Sequence, residues 1–152
     1  MDEIHSSNEN SDLLLNYEDI TDHRVRSLIF HLLYACDAYE YNVSLPSIIE
    51  NFNKGFNLAI PLDGKIAHIT QAIINERESL DTHIKPLLQR WRFERIGTIT
   101  KLILRMAFWE MKNLDTPRSI VINEAIELSK AFGEKDSHRF INGVLDQKDK
   151  AI

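Results

Sequence analysis

The segment from Phe93 to Asn113 carries apolar side chains on nearly every side of a helix. Its apolar residues are Ile96, Ile99, Leu102, Ile103, Leu104, Met106, Ala107, Phe108, Trp109 and Met111. A helix without a polar face is normally the buried centre of a fold. No long run of strict alternation indicates a strand, and only five glycines and four prolines are available for turns. The sequence therefore predicts an all-α fold with this helix at its centre.

Helical spacing of apolar residues predicts five further helices, six in all. They are a first helix from near Thr21 or Asp22 to Tyr41, a second from near Pro46, a long third with its stripe from Ile66 to Leu88, a fifth from Thr116-Pro117 to Phe132, and a last one carrying Ile141, Val144 and Leu145. Pro86 should end or bend the third helix. Gly133 should take the left-handed conformation that often ends a helix.

Charge is distributed unevenly along the chain. Residues 1–20 hold six of the 23 acidic residues and no Lys or Arg. The rest of the chain therefore contains 17 acidic and 18 basic residues. We expect an acidic, flexible tail over residues 1–20 and one folded domain over residues 21–152. From Lys85 to Arg118 there are eight basic and three acidic residues, which is a modest nucleic-acid footprint.

Catalytic and cofactor chemistry find little support in the sequence. Cys36 is the only cysteine, so no internal disulfide can form. Asp136, Ser137 and His138 are adjacent, and neighbours on a helix point about 100° apart, so they cannot hydrogen-bond in series as a triad. No metal-ligand spacing and no phosphate-cradling glycine loop is present. We expect no enzyme, no cofactor and no metal, and, without a signal peptide or an apolar span, a cytoplasmic protein.

Several residues allow two interpretations. Arg105, Glu110 and Glu124 would form an ion-pair network that locks the central helix to the next one, or would bind a ligand; the network is favoured. Phe140 would pack in the core or form a base-stacking platform beside Arg139. The stretch Arg90-Trp91-Arg92-Phe93 would be a hinge anchored by Trp91, or an RNA contact.

The second half of the chain resembles a known protein family. Its strongest part runs from Ile122 to Lys130, through Ala131-Phe132-Gly133, and on to Asp136–Asp146, with Leu104-Arg105-Met106-Ala107 and Glu110 upstream. An earlier match is Arg24-Val25-Arg26 followed by Leu33-Tyr34. This order of residues closely resembles the bacterial transcription antitermination factors of the NusB family. The resemblance implies a helical bundle made of two three-helix halves.

The resemblance also implies a function and a set of contacts. Such proteins bind the boxA element of nascent RNA together with NusE, a small-subunit ribosomal protein, in the RNA polymerase elongation complex. The matching positions imply phosphate contacts by Arg24 and Arg26. The positions expected to flank the RNA are Asp136, Arg139 and Phe140, and those expected to face NusE are Tyr34 and Thr100. We expect a monomer; the alternative is a homodimeric protein-interaction module of the same fold with weak or lost RNA binding.

Overall fold

The computed structural model describes residues 23–147. The acidic tail expected over residues 1–20 and the expected helix start at Thr21 or Asp22 lie outside the described residues. Every regular element within the described range is helical, which confirms the all-α prediction. The elements are α1 (His23–Ala38), α2 (Leu45–Phe56), α3 (Lys65–Asn75), α4 (Arg77–Ile84), α5 (Thr98–Asn113), α6 (Arg118–Phe132) and α7 (Ser137–Leu145), with short 3₁₀ turns at Lys85–Leu87 and Phe93–Arg95.

The chain forms two compact units, which divide between Ala72 and Ile73, inside α3. In the first unit α1 packs against α2. Ser44 caps the start of α2 by accepting from the Ser47 backbone N–H at 3.4 Å, and Pro46 occupies the first turn, where a missing N–H costs nothing. Cys36 is buried in α1, and burial raises the pKa of its thiol to about 11.

The second unit is arranged around α5. Every residue of α5 from Leu102 to Glu110 is buried, and α5 contacts α4, α6 and α7. This confirms the central helix that the apolar pattern predicts, although the helix begins at Thr98 rather than Phe93. The residues before it, Phe93–Arg95, form a 3₁₀ turn, and Ile96 follows with extended backbone at φ −80° and ψ 136°.

The predicted long third helix is interrupted at Glu76, so the described residues contain seven α-helices and not six. Glu76 leaves the helical conformation at φ −96° and ψ 7°. Its carboxylate accepts a hydrogen bond from Trp109 Nε1 at 3.0 Å. The Arg77 guanidinium donates to the Ile74 carbonyl at 2.7 Å, which supplies a partner at the break. The helix is therefore broken at Glu76, where a side-chain hydrogen bond to α5 forms, although the apolar pattern continues beyond this residue.

Arg105 forms an ion pair with Asp81, a partner that the sequence analysis does not name. Arg105 Nε and Nη2 donate to the two carboxylate oxygens of Asp81 at 2.7 and 2.8 Å. The two side chains are 11% and 13% exposed. Asp81 belongs to α4, so this pair links α5 to α4; the expected network of Arg105 with Glu110 and Glu124 toward α6 stays a prediction. No helix in the part of the chain that the structure covers is long and apolar enough to cross a membrane.

Candidate nucleic-acid interface

The turn between α6 and α7 places the first candidate residues, and it depends on Gly133. The prediction of a left-handed Gly133 is wrong, since its backbone is extended at φ −86° and ψ 175°. A glycine is needed here because there is no room for a side chain. A Cβ would lie 2.6 Å from Ser137 Oγ and 2.7 Å from the Ser129 carbonyl oxygen. The two serine hydroxyls are 2.7 Å apart and hydrogen-bonded. Gly133 thus lets the end of α6 approach the start of α7 closely.

Asp136 supplies the left-handed residue of this turn, with φ 68° and ψ 0°. It precedes α7 directly, where a carboxylate complements the helix dipole, but its side chain makes no capping hydrogen bond. Its oxygen lies 3.9 Å from Arg139 Nε, and the two side chains are 58% and 79% exposed. An ion pair this long and this exposed contributes little to stability. Both side chains are therefore available to a ligand.

Phe140 is neither buried in the core nor fully exposed at the surface, the two positions that the sequence allows. It is half-buried, and its ring meets Trp91 edge-to-face, with centroids 5.8 Å apart and planes at 80°. Trp91 itself is 62% exposed, so the expectation that Trp91 anchors a hinge is wrong. Leu88 and Ile96, at 2% and 9% exposure, hold that segment in the core. We call the pair of exposed Trp91 and half-buried Phe140 the aromatic ridge.

Two open clefts adjoin the aromatic ridge. The first, of about 280 Å³, is lined by Trp91 and Phe140 together with Arg95, Thr100 and Asp136. Thr100, which the resemblance assigns to the protein partner, therefore shares one cleft with Asp136 and Phe140, which it assigns to RNA. Sequence reasoning missed Arg95, although the alternation of cations and aromatics from Arg90 to Phe93 could have drawn attention to this segment.

The second cleft, of about 170 Å³, is lined by the same two aromatic residues and by Gln89, Arg139 and Gly143. Each cleft thus contains one arginine and both rings of the ridge. A Cβ at Gly143 would meet nothing within 4 Å, so no backbone of the described residues outside its own helix approaches this glycine closely.

Cations surround the segment that carries Trp91. Arg90, Arg92 and Arg95 are exposed. The Nζ atoms of Lys85 and Lys101 lie 5.2 and 4.6 Å from the centre of the Phe93 ring, a distance at which a cation is attracted to the ring. Five of the eight basic residues between Lys85 and Arg118 therefore lie in the segment from Arg90 to Arg95 or against its Phe93 ring.

The remaining candidate residues belong to the first unit. Arg24 is exposed, and Tyr34 is 46% exposed. Arg26 is only 3% exposed. It lies at helical spacing with buried Ile29, Phe30 and Leu33, a pattern that places it on the apolar face of α1. Contact between Arg26 and a phosphate would require the guanidinium to become exposed, so Arg24 is the better placed of the two cations.

Comparisons with known proteins agree on one family. The sequence model of the NusB family matches residues 23–150. The transcription antitermination protein NusB of Sulfurimonas denitrificans is 38% identical over 139 residues, covering 86% of this chain and 98% of that protein. That of Hamiltonella defensa is 38% identical over 128 residues, covering 82% and 81%. A solved structure of T. maritima NusB matches with a TM-score of 0.70 at 26% identity, over 86% of this chain and 92% of that one. With matches of this extent in sequence and in fold, the chain belongs to the NusB family.

Proposed function

We propose that this chain is a transcription antitermination factor that binds boxA-type RNA at the aromatic ridge, together with NusE, within an RNA polymerase elongation complex. The single observation that carries the proposal is the ridge itself. Trp91 and Phe140 are presented at the surface, between clefts that contain Arg95 and Arg139. Exposed aromatic rings beside guanidinium groups are the usual means of holding unpaired RNA bases and their phosphates.

Single-stranded RNA fits this surface better than a duplex does. The ridge can offer a ring face to a base only if that base is unstacked, as in loops and unpaired leaders. The cations of the segment from Lys85 to Lys101 would attract the phosphate chain without reading its sequence. Asp136, which keeps an accessible carboxylate, would accept a hydrogen bond from a base edge and so contribute selectivity.

The protein partner would share the first cleft with the RNA. Thr100 lines that cleft with Asp136 and Phe140, so a NusE surface that contacts Thr100 would be positioned to contact the bound RNA as well. This arrangement would make RNA binding and NusE binding mutually reinforcing. Tyr34, an exposed aromatic residue on α1, is the proposed NusE contact in the first unit.

The test is RNA binding by Phe140→Ala, measured by titrating labelled boxA RNA and a scrambled RNA, with and without NusE. Loss of one stacked base should weaken boxA binding by roughly 5- to 150-fold, which corresponds to about 1–3 kcal/mol. Phe56→Ala is the matched control, since Phe56 is 68% exposed and lies outside both clefts. Circular dichroism should show equal helicity for all three proteins.

Two results would count against the proposal. Equal boxA affinities for wild type, Phe140→Ala and Phe56→Ala would remove the ridge from the RNA site. Failure of the wild-type protein to prefer boxA over scrambled RNA, combined with a dimer in analytical ultracentrifugation, would favour the homodimeric interaction module instead.

A further inference from the structure

We propose that the second cleft is a second nucleotide site, so that the aromatic ridge separates two successive bases of the bound RNA strand. This inference rests on the proposed RNA-binding function. It adds the number of bases held at the ridge and gives roles to Trp91 and Gly143, two residues that the sequence does not link to RNA recognition in this way.

The two clefts share the aromatic ridge as a common wall. Trp91 and Phe140 line both clefts, and their edge-to-face arrangement, at 80° between the ring planes, makes them one continuous wall. A base held against one side of this wall would place the next nucleotide of the strand within reach of the other side. Single-stranded bases that are splayed apart on aromatic side chains are a common mode of RNA recognition.

The lining of each cleft includes an arginine. Arg139 lines the second cleft, and Arg95 lines the first. Arg139 lies 3.9 Å from Asp136, and its side chain is 79% exposed, so a phosphate could replace this loose contact with little loss. Each cleft thus offers at least one cation to the phosphate of the nucleotide that it would hold.

Gly143 lines the second cleft from within α7. A glycine inside a helix lowers the stability of that helix, and here a Cβ would meet no atom of the described chain within 4 Å. Packing within the chain therefore gives no reason for a glycine at this position. Its effect is to keep the second cleft open. Beside it, Gln147 Nε2 donates to the carbonyl oxygens of Leu87 and Gly143, at 2.9 and 3.3 Å, which fixes the position of the Gln147 amide.

The second cleft is small enough to limit what it can hold. The second cleft measures about 170 Å³, below the roughly 300–1,000 Å³ of sites that enclose a complete small molecule. An open cleft of this volume, with one aromatic wall, suits a single planar group. A nucleobase that belongs to an RNA strand already held in the first cleft is such a group.

The experiment combines protein variants with a boxA RNA that carries a single abasic nucleotide at each position in turn. In the wild-type protein, two adjacent abasic positions should each weaken binding by roughly 5- to 150-fold. Gly143→Leu should fill the second cleft, lower affinity for intact RNA by a similar factor, and remove sensitivity to one of those two positions only. Trp91→Ala should reduce sensitivity to both. Asn142→Leu, a change at an exposed neighbour outside the clefts, is the matched control.

The outcomes separate this inference from the proposed function. If wild type prefers boxA and loses affinity with Phe140→Ala, while Gly143→Leu binds like Asn142→Leu, the second site is refuted and RNA binding at the ridge stands. If wild type shows no preference for boxA, both proposals fall. The abasic scan of wild type is an independent check that needs no variant: one isolated sensitive position, without a sensitive neighbour, would also overturn the second site.

Discussion

Replacing Asp81 with Ala should destabilise the second unit strongly, because Asp81 holds a buried cation of the central helix. Arg105 donates two hydrogen bonds to the Asp81 carboxylate, at 2.7 and 2.8 Å. The side chains are 11% and 13% exposed, so water can replace little of what is lost. Removing one member of a buried pair typically costs about 3–5 kcal/mol, a large share of the roughly 5–15 kcal/mol that stabilises a typical domain.

The expected change is readily measured. For a urea dependence of about 2 kcal/mol per molar, the unfolding midpoint should fall by roughly 2 M. Tryptophan fluorescence reports on the correct part of the chain, since Trp91 and Trp109 are the two tryptophans of the sequence and both follow Ile73. Lys112→Ala is the control: it removes a cation of the same helix that is 46% exposed and lies 3.7 Å from Glu76. It should cost less than about 1 kcal/mol.

A double-mutant cycle identifies the cause. Arg105→Met should be at least about 1 kcal/mol less harmful in the Asp81→Ala background than in wild type, because the pair has already been broken. Additive effects of the two substitutions, or a midpoint for Asp81→Ala no lower than that for Lys112→Ala, would refute the assignment of this pair as a main link between α4 and α5.

Two further predictions concern the α6–α7 turn and the first helix. Gly133→Ala should lower the free energy of unfolding by about 1–3 kcal/mol, since the added Cβ would lie 2.7 Å from the Ser129 carbonyl oxygen; an unchanged thermal midpoint would contradict the steric explanation. Arg24→Ala should reduce the slope of log RNA affinity against log salt by about 0.7, the value for one lost phosphate contact on a single strand. Arg26→Ala should instead lower stability, because Arg26 is 3% exposed; an equal loss of salt slope in both variants would show that Arg26 also reaches the RNA.

The helical fold and its central helix are predictable because their signal is local and repeated along the chain. The break at Glu76 is different, since its carboxylate bonds to Trp109, 33 residues away. No pattern near Glu76 reveals a partner at that distance. Gly133 illustrates a second limit. The sequence shows that a glycine follows α6, but a left-handed backbone and a lack of space for a Cβ both favour glycine. The sequence alone does not distinguish these two reasons.

The sequence could supply candidate residues for the site but not their assembly in space. The family resemblance assigns contacts to Thr100, Asp136 and Phe140, yet only the folded chain brings them to one cleft. Trp91 was misjudged because a large aromatic residue within a connection usually anchors it, a role that Leu88 and Ile96 perform here. The burial of Arg26 had a visible signal, since Ile29, Phe30 and Leu33 follow it at three, four and seven residues.

The left-handed backbone of Asp136 has a consequence for any effort to make this protein more thermostable. An aspartate tolerates φ 68° better than most residues, but glycine adopts it without the steric cost of a Cβ, which is about 1–2 kcal/mol for an ordinary side chain. A screen for heat resistance would therefore favour glycine at this position. The gain would remove a carboxylate that lines the first cleft and lies 3.9 Å from Arg139. Under the proposed function, selection for heat resistance and selection for RNA recognition would therefore act in opposite directions on this one residue.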